Sequence, residues 1–123
     1  MGLYYQDNLD DFGHRRTIFK CSDCYSHFFT SSDIISDNFH GKNGTAYLVE
    51  KVVNVKRGPT EIRSMMTGEY TVCDTLCQQC GKYIGWEYLT ADEISEKYKE
   101  GKHVIEVCGL GASGMDKKKE LLF

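Results

Sequence analysis

The sequence predicts a mainly β domain, and three features carry the prediction. Two C-x-x-C pairs, Cys21/Cys24 and Cys77/Cys80, each follow a β-rich run. Short runs of β-branched and aromatic residues recur along the chain, cut by Asn-Gly and Thr-Gly turn signals. A single stretch, residues 90–101, carries helix signals at both ends.

Each element has a local reason. Thr17, Ile18, Phe19 and Lys20 form a strand leading into the first cysteine turn. Residues 25–39 show no period, and Phe28, Phe29, Ile34, Ile35 and Phe39 read as core anchors. Asn43-Gly44 is a turn between that region and residues 46–49, a strand. Val52, Val53, Asn54 and Val55 read as another strand, broken by Arg57-Gly58-Pro59. Residues 61–66 alternate as a half-exposed strand, and Thr67-Gly68 turns the chain. Residues 70–76 and 83–88 are the strands entering and leaving the second cysteine turn. Thr90 and Glu93 fit a capping box, so one short late helix is expected, with Ile94, Tyr98 and Lys97 facing the sheet and Gly101 ending it. Residues 103–108 form the last strand expected. The organisation read from this pattern is an N-terminal arm (1–16), a folded domain (17–108) and a flexible C-terminal tail (109–123).

The cysteines carry the chemistry. A C-x-x-C turn offers two thiolates to one metal, and two such turns complete a tetrahedral four-sulfur shell around zinc. One pair alone could be a redox dithiol. Two pairs, with 52 residues between them, point to a structural zinc held by Cys21, Cys24, Cys77 and Cys80. Cys73 and Cys108 stand outside the spacing and read as small buried apolar residues. The four histidines show no ligand or triad spacing with the cysteines.

Bulk properties narrow the function. Reduced cysteines in a metal site fit a cytosolic or nuclear compartment. The formal charge is −3, and four thiolates with one Zn²⁺ take it to about −5. That balance argues against direct nucleic-acid binding, so Arg15-Arg16 and Lys117-Lys118-Lys119 read as solvated runs. No apolar run approaches the roughly 20 residues of a membrane helix, so no membrane association is expected. The polar, acidic first residues do not read as a signal peptide.

Gly44, Leu48, Asn54, Gly68, Cys77, Cys80, Gly85-Trp86-Glu87-Tyr88, Lys99 and Glu106, with the long gap between cysteine pairs, make a specific pattern. It resembles the Yippee-like family over residues 17–107. Residues 44–48 and 68–74 are most similar to its fungal branch. The resemblance implies a β-tent, two antiparallel sheets pinned by the four-cysteine zinc site. That fold is shared with the ligand-binding domain of cereblon, with centromere-priming proteins and with methionine sulfoxide reductase B. The resemblance also implies association with a GID/CTLH-type E3 ubiquitin ligase, and a nuclear and cytoplasmic location.

Trp86 and Tyr88, two apart on one strand, share a sheet face. Gly85-Trp86-Glu87-Tyr88 resembles the strand that forms one wall of an aromatic cage in cereblon-like β-tents. Aligned through Gly68, the other cage positions hold Met65 and Thr71, and the chain has one tryptophan in all. A three-tryptophan cage therefore cannot form. An incomplete pocket for a small ligand or modified peptide is the functional reading of these residues; core packing is the structural one. Asn54, in an apolar run, either braces the sheets or lines that pocket with Trp86. Arg57-Gly58-Pro59 and Glu61-Ile62-Arg63 are expected to form an exposed hairpin, a docking edge for a partner.

The function expected is a non-catalytic, monomeric zinc-binding protein, an accessory or recognition subunit of a GID/CTLH-type ligase. Two rivals come from other classes. One is a redox enzyme like methionine sulfoxide reductase B, with Cys108 as its reactive thiol. The other is a chromatin or centromere adaptor.

Overall fold

The structure is a computed structural model and describes residues 17–113. The expected N-terminal arm and the tail from 114 onward lie outside the described residues. The described chain folds into nine strands. They are β1 (Ile18–Cys21), β2 (His27–Thr30), β3 (Ile34–Gly41), β4 (Gly44–Val49), β5 (Val55–Met65), β6 (Gly68–Cys77), β7 (Tyr83–Ala91), β8 (His103–Glu106) and β9 (Leu110–Ser113). Two antiparallel sheets result. One has three strands in the order β2-β1-β9, the other six in the order β3-β4-β8-β7-β6-β5. The mainly β, two-sheet architecture expected from the sequence is the one observed. No helix among the described residues is long and apolar enough to cross a membrane.

Period-two alternation fills both faces of the large sheet. Leu48 and Val104 enter a cluster with Ala46, Tyr70, Val72, Trp86, Tyr88 and Ala91. Their chain neighbours Val49 and Ile105 enter a second cluster with Cys21, Phe28, Phe29, Cys77 and Ile84. The second cluster joins the small sheet to the large one and contains two of the site cysteines. Ile35, expected in the core, is on the exposed side of edge strand β3.

Four local expectations are corrected. Arg57-Gly58-Pro59 does not end a strand: β5 runs through it, with a register shift between Arg57 and Thr60. Proline is tolerated there because β5 is an edge strand. Asn54 is not inside a strand; its φ of 61° turns the chain just before β5. The late helix is a 3-10 segment, Ile94–Lys99, and Glu93, not Thr90, precedes it. Thr90 and Ala91 stay in β7 because they pair with Thr71 and Tyr70. Ile94 and Tyr98 are consequently exposed, and Lys99 is the residue that turns inward. Finally, order does not stop at residue 108. Leu110–Ser113 pairs along β1, with Cys21 opposite Leu110. That strand, rich in small residues, has almost no side-chain pattern to announce it; it is held by backbone pairing.

Candidate metal centre and an aromatic hollow

The two cysteine turns are built alike. In the first, Tyr25 N–H donates to Cys21 C=O (2.9 Å) and Cys21 N–H to Ser26 C=O (2.8 Å). In the second, Gly81 N–H donates to Cys77 C=O (2.8 Å) and Cys77 N–H to Lys82 C=O (2.8 Å). The residue after each second cysteine has left-handed backbone, φ 66° at Tyr25 and 79° at Gly81. That twist folds each turn back on itself, so both thiols point to one place. The first turn follows β1 of the small sheet; the second links β6 and β7 of the large sheet. The site therefore ties one sheet to the other.

The four sulfur atoms lie within 4.8 Å of one another. Cys21 and Cys80 Sγ are 3.6 Å apart, and Cys24 and Cys77 Sγ 3.5 Å. A tetrahedral zinc with Zn–S near 2.3 Å requires sulfur atoms roughly 3.8 Å apart. The donor set therefore fits a four-coordinate thiophilic metal, with no open position for substrate. Burial raises the pKa of Cys21 and Cys77. At Cys24 burial also pushes upward, but the Ser26 hydroxyl and N–H outweigh it and bring the thiol down to about 7. Lys82 Nζ bridges to Ser22 Oγ (3.1 Å) and to Asp23 (3.3 Å), linking the two turns from outside.

The predicted pocket residues divide. Met65, Trp86 and Tyr88 line one hollow of about 590 Å³ on the large sheet, with Phe39, Thr67, Tyr98 and Lys99. Thr71 and Asn54 are not in it. Thr71 points away, between Ile62 and Thr90, while its neighbours Tyr70 and Val72 face the core. Asn54 sits near the metal centre, where its Nδ2 donates to His27 C=O (2.7 Å) and its C=O accepts from Gln78 N–H (3.0 Å). It braces the two halves, one of the two roles expected for it.

Sequence reasoning gave no role to the residue at the hollow's centre. Lys99 is 4% exposed. Its Nζ lies 5.1 to 5.8 Å from the ring centres of Tyr70, Phe39, Tyr88 and Tyr98. It donates to Tyr70 Oη (3.0 Å) and Thr67 Oγ1 (3.4 Å) and pairs with Glu96 (2.8 Å). Burial opposes its charge, but Glu96 and Tyr70 outweigh that and hold its pKa above the usual lysine value. The aromatic residues thus cage a cation that belongs to the chain itself.

Two further carboxylates are buried and paired. Glu106, 1% exposed, accepts from Lys42 N–H (2.9 Å), Asn43 N–H (3.1 Å), Asn43 Nδ2 (2.9 Å) and Tyr83 Oη (2.9 Å). Glu87 takes both arms of the Arg57 guanidinium (3.0 and 3.1 Å). Cys73 is buried beside Glu87, as expected of a small apolar residue, whereas Cys108 is exposed. Cys108 lies in the 3-10 segment Val107–Gly109 that follows β8, outside the strand, and is exposed there.

Residues 17–120 match the family described as Yippee zinc-binding/DNA-binding/Mis18, centromere assembly. A Yippee-like protein of Solanum tuberosum is 53% identical over 72% of this chain and 69% of its own. One of Arabidopsis thaliana is 48% identical over 80% of each chain, and Yippee-like 3 of Homo sapiens 46% over 84% of each. Among solved structures, the Yippee-like domain of Mis18 superposes with a TM-score of 0.63 at 14% identity, covering 82% of this chain and 98% of that one. That last likeness is one of fold. With four cysteines converging in a two-sheet β fold, and close to half of the aligned positions shared with relatives across most of their length, the chain belongs to the Yippee-like family.

Proposed function

We propose that this chain is a zinc-pinned recognition protein without catalysis of its own, an accessory or recognition subunit of a GID/CTLH-type E3 ubiquitin ligase in nucleus and cytoplasm. Zinc is the metal because four thiolates in tetrahedral spacing suit it and leave no position for a reactive water. Its part is to fix the sheets, so that the surfaces they carry are presented rigidly. The observation that supports recognition is a set of large apolar side chains left in solvent. Met66 is 102% exposed, Ile94 84%, Ile62 71% and Tyr98 57%. Met66 and Tyr98 rim the aromatic hollow, and Ile62 lies on edge strand β5. Exposed apolar groups gathered around a concavity are the usual mark of a binding surface. The ligase itself is inferred from membership of the family.

Affinity purification of the tagged chain from its own cells, with mass spectrometry of what it retains, tests this. Wild type is expected to recover RING and scaffold subunits of a ligase, and a Met66→Ser/Tyr98→Ser variant to lose some of them while keeping its zinc. Retention of nucleosome or centromere components alone would move the reading to a chromatin adaptor, the reading favoured by the Mis18 component of the matched family. Sulfoxide reduction abolished by Cys108→Ser would move it to a redox enzyme.

A further inference from the structure

The hollow beside Trp86 has the size of a small-ligand site, about 590 Å³. Its walls mix aromatic and aliphatic side chains with charged ones, and the one carboxylate among them, Glu96, is paired with Lys99. A cation would ordinarily be the natural guest of an aromatic cage. Here that position is taken, because Lys99 Nζ already stands among four rings with three polar partners. A second ammonium would meet like charge in the same wall.

What the hollow leaves unmet are donors. Lys42, exposed at the β3–β4 turn, lines it, and its ammonium rests on the Tyr83 ring at 4.8 Å, with no carboxylate partner among the described residues. Arg63, also in the wall, is by contrast bridged to Asp74 and Glu61. Trp86 is 5% exposed and its indole N–H closes no aligned hydrogen bond. Burial raises the pKa of the Tyr88 phenol, and the Trp86 N–H beside it, with the Lys99 charge, only partly opposes that rise.

From these we infer that the hollow is a binding site for an apolar, preferably aromatic, group bearing a carboxylate. The carboxylate is met by Lys42; the apolar body packs on Phe39, Met65, Tyr88 and Tyr98 beside the Trp86 ring. This deepens the recognition reading by naming the chemistry recognised, and it concerns the isolated chain, so it can fail without the ligase assignment failing.

The chain's one tryptophan makes the test direct, since emission and the single indole N–H resonance both report this wall. The zinc-loaded protein is titrated with phenylacetate and, separately, with phenethylammonium, its cationic counterpart. Expected is a saturable shift of both Trp86 signals with phenylacetate, at least tenfold weaker binding of the ammonium, and at least fivefold weaker phenylacetate binding by Lys42→Met. Lys42 is exposed, so that variant is expected to keep the wild-type Tm. A blocked dipeptide, acetyl-aspartyl-phenylalanine amide, separates sources. Tighter binding than phenylacetate assigns the carboxylate to a peptide, weaker binding to a free small acid. Equal or tighter binding of phenethylammonium, unchanged binding by Lys42→Met, or no saturable response to phenylacetate would each overturn the inference.

Discussion

Replacing Glu106 by glutamine keeps the shape of the side chain and removes its charge, and the structure sets what should follow. The carboxylate is 1% exposed and accepts four hydrogen bonds from nitrogen and oxygen donors, two at each oxygen, with the Cys108 thiol a weaker donor 4.0 Å from Oε1. Oε1 takes the Asn43 N–H and Nδ2; Oε2 takes the Lys42 N–H and the Tyr83 hydroxyl. An amide nitrogen in place of Oε1 sets two donors against a donor; in place of Oε2 it opposes the Lys42 N–H, while the Tyr83 hydroxyl can turn to accept. Hydrogen bonds to a charged group contribute about 1.5–3 kcal/mol each and neutral ones about 1, so losing one bond outright and the charge assistance of the other three costs roughly 3–6 kcal/mol. Part is recovered because a buried charge is no longer desolvated, and the exposed turn at Lys42 and Asn43 can turn to water. A net loss of about 3 kcal/mol follows, or a Tm lower by roughly 12–20 °C for a domain of this size. Tyr83→Phe removes one of the four bonds and should cost about 1 kcal/mol. Urea unfolding of the zinc-saturated proteins, followed by circular dichroism, measures both. A Glu106→Gln loss below about 1 kcal/mol, or a Tyr83→Phe loss equal to it, would refute the reasoning that this carboxylate organises the β3–β4 turn.

Two more predictions come from the same sheet. A methyl group added at Gly85 would stand 1.9 Å from Val104 C=O, a backbone atom that cannot swing away. Gly85→Ala should therefore force β7 and β8 apart and cost upward of about 3 kcal/mol by urea unfolding. His103 is held below the usual histidine pKa, first by burial, against an upward pull from Glu87 and with a further downward push from Arg57. The unfolded chain then takes up the proton first, so stability is complete above pH of about 6.5 and falls as pH drops through the folded value. His103→Gln should flatten the loss of stability between pH 7 and 5 relative to wild type; thiol protonation at the metal site is common to both proteins and cancels. Parallel curves would show that His103 contributes nothing to it.

The metal centre was legible because its signal is local: a C-x-x-C turn fixes its own geometry, and two of them leave little freedom in what they build. The β content was legible for the same reason, in period-two runs and Asn43-Gly44 or Thr67-Gly68 turns. What escaped depends on tertiary context. Lys99 reads as a solvated lysine in any window of sequence, yet its cage comes from β3, β6, β7 and the 3-10 segment together. The family resemblance marked Lys99 and Glu106 as signature positions without a role for either; burial supplies the role. Gly58-Pro59 reads as a strand break unless β5 is known to be an edge. Thr90-Ala91-Asp92-Glu93 is a sound capping box, overridden by pairing of Thr90 with Thr71. Met65, Trp86 and Tyr88 line one hollow, whereas Thr71, between the core residues Tyr70 and Val72 of β6, takes the opposite face by plain alternation.

The central claim is that one zinc, bound by Cys21, Cys24, Cys77 and Cys80, holds the two sheets in place. X-ray absorption at the zinc edge, paired with thermal unfolding before and after chelation, tests it most directly. The account predicts one zinc per chain with four sulfur neighbours near 2.3 Å. It also predicts loss of the cooperative transition on chelation and in Cys77→Ser. A shell with fewer sulfurs, or a chelated chain that melts at the temperature of the loaded one, would contradict it.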